Sequence, residues 1–293
     1  MDVLVAQLLN SLLYAAVLFL IAGGLSMIYG VMRIVNLAHG TLYALGAYVM
    51  AWGLLRLAGE SGSEPFYLIA FLPVAAVAVA ATGAVVEPLL LRPLYARAEE
   101  YQLLLTFGLL LMLEDVMRYI WGPTPLTASS LWASFGTLHL LGATYPAYNV
   151  VVIILGLLAA LMLWALIFKT RFGVMLRATS QNRRVAAALG INVSSVYVQA
   201  FALGCLMAGL AGAVVVPIQG AVLGMGVDAL VLAFVVVVIG GLGSLEGALV
   251  GALIVGVVRT LAIQYFPELE LAVLYLIAAG VLITRPAGLL GRA

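Results

Sequence analysis

Charge is what this sequence has least of. Of 293 residues, 13 are Lys or Arg and 12 are Asp or Glu, so 9% of the chain is charged against 66% hydrophobic. That leaves too little polar surface to coat the core of a soluble domain, and an integral membrane protein is the class that remains. Cysteine occurs once, as Cys205 within an apolar run, which excludes a disulfide framework and a thiolate metal site. Lysine also occurs once. Lys169 follows Phe168, so no Gly-Lys-Ser/Thr phosphate loop can be written and the chain is not its own P-loop ATPase. His39 and His139 are the only histidines, and no serine, histidine and acid stand at a spacing that suggests a triad. The run GLGSLEG places Glu246 where a dinucleotide fingerprint needs its third glycine. No Lys/Arg cluster is interleaved with aromatics as a nucleic-acid surface would need, so a nucleic-acid partner is not expected. No basic residue precedes the first apolar run, which therefore reads as a retained span and not a cleaved signal.

What is present is a series of apolar runs, at about 7–30, 36–55, 66–91, 102–121, 148–168, 195–217, 227–243, 245–264 and 270–284. Their lengths suit helices crossing about 30 Å of hydrocarbon, not the ten-residue alternating strands of a barrel. The fold class is an all-α, polytopic transmembrane bundle with about eight crossings, the nine runs counting as eight crossings and one half-span, and residues 1–293 read as one domain. Gly241, Gly243 and Ser244 alone join the seventh and eighth runs, as either a tight hairpin or a broken helix. Positive charge orients the bundle. Arg33, Arg92, Arg97, Arg285, Arg292 and the basic residues of a loop at about 169–194 fall on one side, which becomes the cytoplasmic one. Arg56 falls on the other, together with Glu60 and Glu64, while Arg118 and Arg259 lie within runs. The N-terminus is then outside and the C-terminus cytoplasmic.

The 169–194 loop holds Lys169, Arg171, Arg177, Arg183 and Arg184, and no acid occurs between Asp115 and Asp228. Thr179 or Ser180 can cap a short amphipathic helix with Val185, Ala188 and Leu189 at helical spacing, and Gly190 can close it in the left-handed conformation. From its residues alone this helix is equally suited to a protein partner or to anionic membrane lipid. Near the start, Asn36 and His39 share one helical face beside Gly40, as an interhelical hydrogen bond or a contact for a permeating solute. Glu114 and Arg118 are four apart and read as an ion pair, with a solute or proton path as the other reading. Glu87 and Asp228 read as interfacial. Glu246, beside the doubtful turn, reads as a polar contact within the bundle or as a gate.

Three stretches together resemble a known family. They are GLSMIYGVMRIVNLAHGTLYALGAY, GVMLRATSQNRRVAAALGINVSSVY and FVVVVIGGLGSLEGALVGALIVG, and their order along the chain is that of the inner-membrane permease subunits of branched-chain amino acid ABC importers. The resemblance implies that the segment from Arg177 to Gly190, with Thr179, Asn182, Arg183, Ala187 and Leu189, docks on a cytoplasmic ATPase that binds ATP and Mg in place of this chain. It further implies a second homologous permease chain, a periplasmic or extracellular solute-binding protein, and a bacterial or archaeal inner membrane. No cofactor is expected in this chain. Relatives that carry urea or short amides share these motifs, so that substrate class is the alternative. An ion-coupled transporter using Glu114, Asp115 or Glu246, and an intramembrane enzyme using His39 with a carboxylate, are the rivals of other classes.

Overall fold

In the computed structural model, residues 2–58, 65–140 and 142–291 are described. The sequence-based placements of Glu60, Glu64 and Arg292 fall outside them. Each apolar run is a helix: α1 (Asp2–Met32), α2 (His39–Gly53), α3 (Pro65–Val86), α4 (Glu99–Trp121), then a short α5 (Ser129–Ser134). An antiparallel hairpin of β1 (Thr137–Leu140) and β2 (Ala143–Pro146) follows, with Thr137 opposite Pro146. The chain continues through α6 (Ala147–Lys169), α7 (Arg171–Gln181), α8 (Arg183–Ala188), α9 (Val193–Gln219), α10 (Met225–Gly240), α11 (Leu245–Tyr265) and α12 (Glu270–Thr284). Among the described residues, six helices are long and apolar enough to cross a membrane, and α10 is a shorter apolar one.

The centre of the bundle is α9, which α1, α2 and α3 surround. Bulk cannot lie between α9 and α2: a Cβ on Gly46 would meet the Gly209 backbone, one on Gly209 would lie 2.7 Å from Val79 on α3. Small residues let backbones approach this closely, and dispersion between closely packed helices replaces the hydrophobic drive that lipid cannot supply. Outward faces carry large apolar side chains instead, such as Leu104 and Phe107 on α4 and Leu157 and Met162 on α6. At the junction of the seventh and eighth runs the hairpin alternative is the one realised. Gly241 and Gly243 take positive φ of 114° and 79°, and the Ser244 hydroxyl caps α11 through the Gly247 amide at 3.0 Å.

Contacts give each helix a direction. The end of α1 at Met32 and Arg33 meets Tyr95, Arg97 and the α7–α8 junction, and Gly30 packs on the Gly243 turn. The C-terminal strap joins the same end, since Leu290 donates to the Gly240 carbonyl. This is the basic end of the molecule. The β-hairpin and α5 lie at the opposite end, where the Tyr145 hydroxyl reaches Asn10 at 2.9 Å and residues 126 and 221 form a bridge.

Candidate functional site

Between Met32 and His39 the backbone is not helical, and this break lies inside the bundle. The His39 imidazole Nε2 is 3.0 Å from the Ile21 carbonyl oxygen, eleven residues before the end of α1. At about 1.5 Å rise per residue that is about 16 Å from the basic end, roughly half of a hydrocarbon core. The α2 helix therefore starts at mid-depth. It is fifteen residues long because residues 33–38 make the first part of that pass as a non-helical segment, with Arg33 at φ 56° and a turn at 37–38 that leads into α2. Irregular backbone is tolerated at this depth only where protein or a cavity surrounds it, and here Ile34, Asn36 and Ala38 are buried.

A second helix starts beside it. Gly224 is left-handed at φ 86° and begins α10, and a Cβ on Gly226 would lie 2.6 Å from the Gly40 carbonyl oxygen. Two helix N-termini, each with the positive end of its dipole, thus meet at Gly40 and Gly226. Asn36 is 0% exposed, and neither atom of its side-chain amide has a hydrogen-bond partner. His39 Nδ1 is likewise buried and unpaired. Such groups cost about 1–3 kcal/mol each when left unsatisfied, so a stable fold retains them only where something else makes the bond. Nine residues beyond His39 along α2, Tyr48 lies against Trp121 at 5.4 Å between ring centroids with the rings tilted by 36°, and its hydroxyl and the indole Nε1 are also buried and unpaired. The sequence pointed to Asn36, His39 and Gly40, and to Gly226 as one of several glycines able to break a helix at membrane depth; it gave no sign of Tyr48 on the same helix or of Trp121 from a distant one.

The loop at the basic end is built from two helices, not one. Thr170 caps α7 through the Gly173 amide, and the Arg177 guanidinium donates to the Ile167 carbonyl, folding α7 back on α6. Thr179 is buried on α7 and Ser180 donates to the Arg177 carbonyl, so neither caps the short helix as expected. Asn182 does. It is extended at φ −155°, which breaks the chain between α7 and α8, and its Oδ1 accepts from the Arg184 and Val185 amides at 3.0 and 3.1 Å. Gly190 closes α8 at φ 87°, with its amide on the Ala187 carbonyl and the Ile191 amide on that of Ala186. The result is a six-residue helix pinned at both ends. Its buried side is Ala186, while Val185 and Leu189 are 54% and 76% exposed, and Ala187, Arg183 and Arg184 are exposed too.

Three acids sit differently from expectation. Glu87 is not interfacial but fully buried, accepting from the Tyr95 hydroxyl at 2.5 Å and from Arg92 at 3.0 Å. A wide helical turn at Glu87–Leu91 and a 3-10 turn after it bring these partners round. Burial, and then the Glu87 carboxylate, raise the Tyr95 phenol far above its ordinary pKa, so it stays a donor. Arg118 pairs with Asp115 at 3.7 Å instead of Glu114, and both side chains are more than half exposed, a geometry that contributes little. Glu246 is exposed in the first turn of α11, where the helix dipole favours a carboxylate. Of the other expectations, Asp228 is exposed near the start of α10, and Arg259 within α11 pairs with Glu270 at 2.5 Å and lies over Tyr14.

The sequence that builds this bundle has counterparts among known proteins. The family model described as branched-chain amino acid transport system / permease component matches residues 7–282. The high-affinity branched-chain amino acid transport system permease protein LivH of Salmonella typhimurium is 30% identical over 292 residues, covering 98% of this chain and 95% of that protein. BraD of Pseudomonas aeruginosa, of the same description, is 28% identical over 297 residues with the same coverage. A probable permease protein LivH of Methanocaldococcus jannaschii is 28% identical over 265 residues, 87% of this chain and 80% of its own. Matched along nearly its whole length, and built of apolar helices able to span a membrane, this chain belongs to the family of branched-chain amino acid transport permease components and is a membrane transport subunit, not an enzyme.

Proposed function

We propose that this chain forms half of the translocation path of an ATP-driven importer for branched-chain, aliphatic amino acids, with a second homologous permease chain forming the other half. A permease component of this family works with ATPase and solute-binding partners. The observation that carries the reading is α8, a helix capped at both ends whose apolar Val185 and Leu189 are held out at the basic end. Exposed apolar side chains on a rigid, basic helix fit a groove on a protein partner. That partner is the cytoplasmic ATPase, which binds ATP and Mg, and α7–α8 transmits its motion to α6 and α9. The basic end is then cytoplasmic by the positive-inside rule, and the end carrying the β-hairpin faces the solute-binding protein.

The chain runs alternately between the two ends through α1, α2, α3, α4, α6, α9, α10, α11 and α12, and the passes of α2 and α10 are completed by non-helical segments. An odd number of passes puts the N-terminus outside and the C-terminus inside. The path itself runs past Asn36, His39 and Gly40, where paired helix N-termini suit a substrate carboxylate. Glu246 stands at its cytoplasmic end.

Affinity purification from native membranes in mild detergent tests this reading. Co-purification of a P-loop ATPase, vanadate-sensitive hydrolysis and ATP-dependent uptake of labelled leucine are expected. Uptake of urea in preference to leucine would move the substrate to short amides. Repeated recovery of the chain alone, with uptake driven by a pH gradient, would refute the importer.

A further inference from the structure

Two adjoining recesses at the basic end lie outside the translocation path proposed above, and the larger one borders the α7–α8 junction behind the docking helix. The larger, of about 570 Å³, lies between the end of α1, the segment before α4 and the α7–α8 junction, and Arg33, Arg97, Arg183 and Arg184 line it with Tyr95 and Tyr197. The smaller, of about 280 Å³, runs on from it between residues 33–35 and the first turns of α4, sharing Arg33, Glu99 and Gln102. Its other walls are largely apolar: Tyr29, Ile34, Val35 and Leu103, with Glu100 at the rim. Among the described residues, none of the four arginines takes part in an ion pair, although Glu99 stands in the same recess. Four cations against one carboxylate leave the larger recess strongly positive, and the smaller adds only Glu100.

We infer that the pair of recesses is a binding site for one anionic phospholipid, with its phosphate among Arg33, Arg97, Arg183 and Arg184 and an acyl chain beside Val35 and Leu103. A positive recess between helix ends at the cytoplasmic face is the recurring setting for acidic headgroups. Guanidinium forks match phosphate oxygens in pairs. The apolar continuation decides between sources: a soluble phosphate would use the larger recess alone, whereas a lipid uses both. Exposed Tyr101, Leu103 and Leu104 on the same stretch of α4 place its outer face against hydrocarbon. A lipid there touches residues 33–35, directly below Asn36, and the Asn182–Arg184 cap of α8. It therefore bridges the mid-depth break and the docking helix.

The test uses the full importer reconstituted in phosphatidylcholine alone or in a mixture with phosphatidylglycerol. Native mass spectrometry of the detergent-extracted complex should find phosphatidylglycerol retained by the parent. Arg33→Gln with Arg97→Gln should weaken retention about thirtyfold, from about a factor of five for each arginine near an acidic surface. Arg285→Gln, a cation of the same end outside both recesses, should leave it unchanged. Photoactivatable phosphatidylglycerol on the parent covers the case in which the double variant fails to fold, and its label should fall on peptides bearing Tyr29 to Val35 or Leu103. Equal retention by the double variant and Arg285→Gln would overturn the site, as would label spread over other helices. Phosphatidylglycerol should also raise the melting temperature of the parent, and an equal rise with inorganic phosphate alone would overturn the lipid in favour of a soluble anion.

Discussion

Replacing Gly226 with alanine probes the meeting of the two helix starts. The new Cβ would lie 2.6 Å from the Gly40 carbonyl oxygen, 2.8 Å from its carbon and 3.0 Å from the Thr41 amide nitrogen. Ordinary contact begins near 3.4 Å, so α2 and α10 must part by about 0.8 Å. No side chain can rotate aside, because every atom met is backbone. Overpacking of this kind costs about 1–3 kcal/mol, a factor of about 5 to 150 in the folding equilibrium. At about 2–4 °C for each kcal/mol, the melting temperature of the purified protein should fall by several degrees. Gly108→Ala on α4 is the matched control, since nothing lies within 4 Å of its Cβ position and alanine favours a helix by about 0.5–1 kcal/mol. Fluorescence-detected size-exclusion after heating would measure both variants, and leucine uptake would report whether the path survives. If Gly226→Ala melts at or above the parent while Gly108→Ala melts below it, the close approach of α2 and α10 is not as described.

Asn182→Ala removes the acceptor of the Arg184 and Val185 amides and should destabilise α8 by about 0.5–2 kcal/mol. Uptake and ATPase coupling should fall while the melting temperature of the bundle holds, and Asn182→Asp should restore both activities. Gly190→Val forces a β-branched residue to φ 87°, and Ala187→Trp adds bulk to the exposed face of α8. Transport should be lost in each with the protein still in the membrane; normal uptake by either would count heavily against the docking role. Tyr95→Phe takes one donor from the buried Glu87 carboxylate, for about 1–3 kcal/mol and a lower melting temperature, a loss that thermal unfolding would detect.

Much of this was open to reading from residue order. Periodicity and hydropathy located each apolar helix to within about five residues, though neither α5 nor α7, and Gly190 was recognisable as a helix terminator because only a left-handed turn uses glycine there so readily. The cap of α8 was misplaced by two or three residues. Thr179, Ser180 and Asn182 all offer a suitable oxygen, and the choice between them followed from α7 burying Thr179 against the bundle. Glu87 was misread because its partners are five and eight residues on, across a wide turn that no helical spacing anticipates. The arginine paired with Asp115 and not Glu114 because side-chain direction, and not only spacing, selects between three and four residues.

Residue order by itself determined that the chain lives in a membrane, that it is helical, which end is basic, and that a short polar helix interrupts the apolar runs. Those properties follow from composition and local periodicity, which the bilayer reads directly. The tertiary structure alone decided that α2 starts at mid-depth, that Gly226 stands against Gly40, and that Arg33 and Arg97 share a recess with Arg183 and Arg184. These are pairings between segments far apart in the chain. They depend on which helix faces can come close enough to pack, a condition that no single stretch of sequence contains.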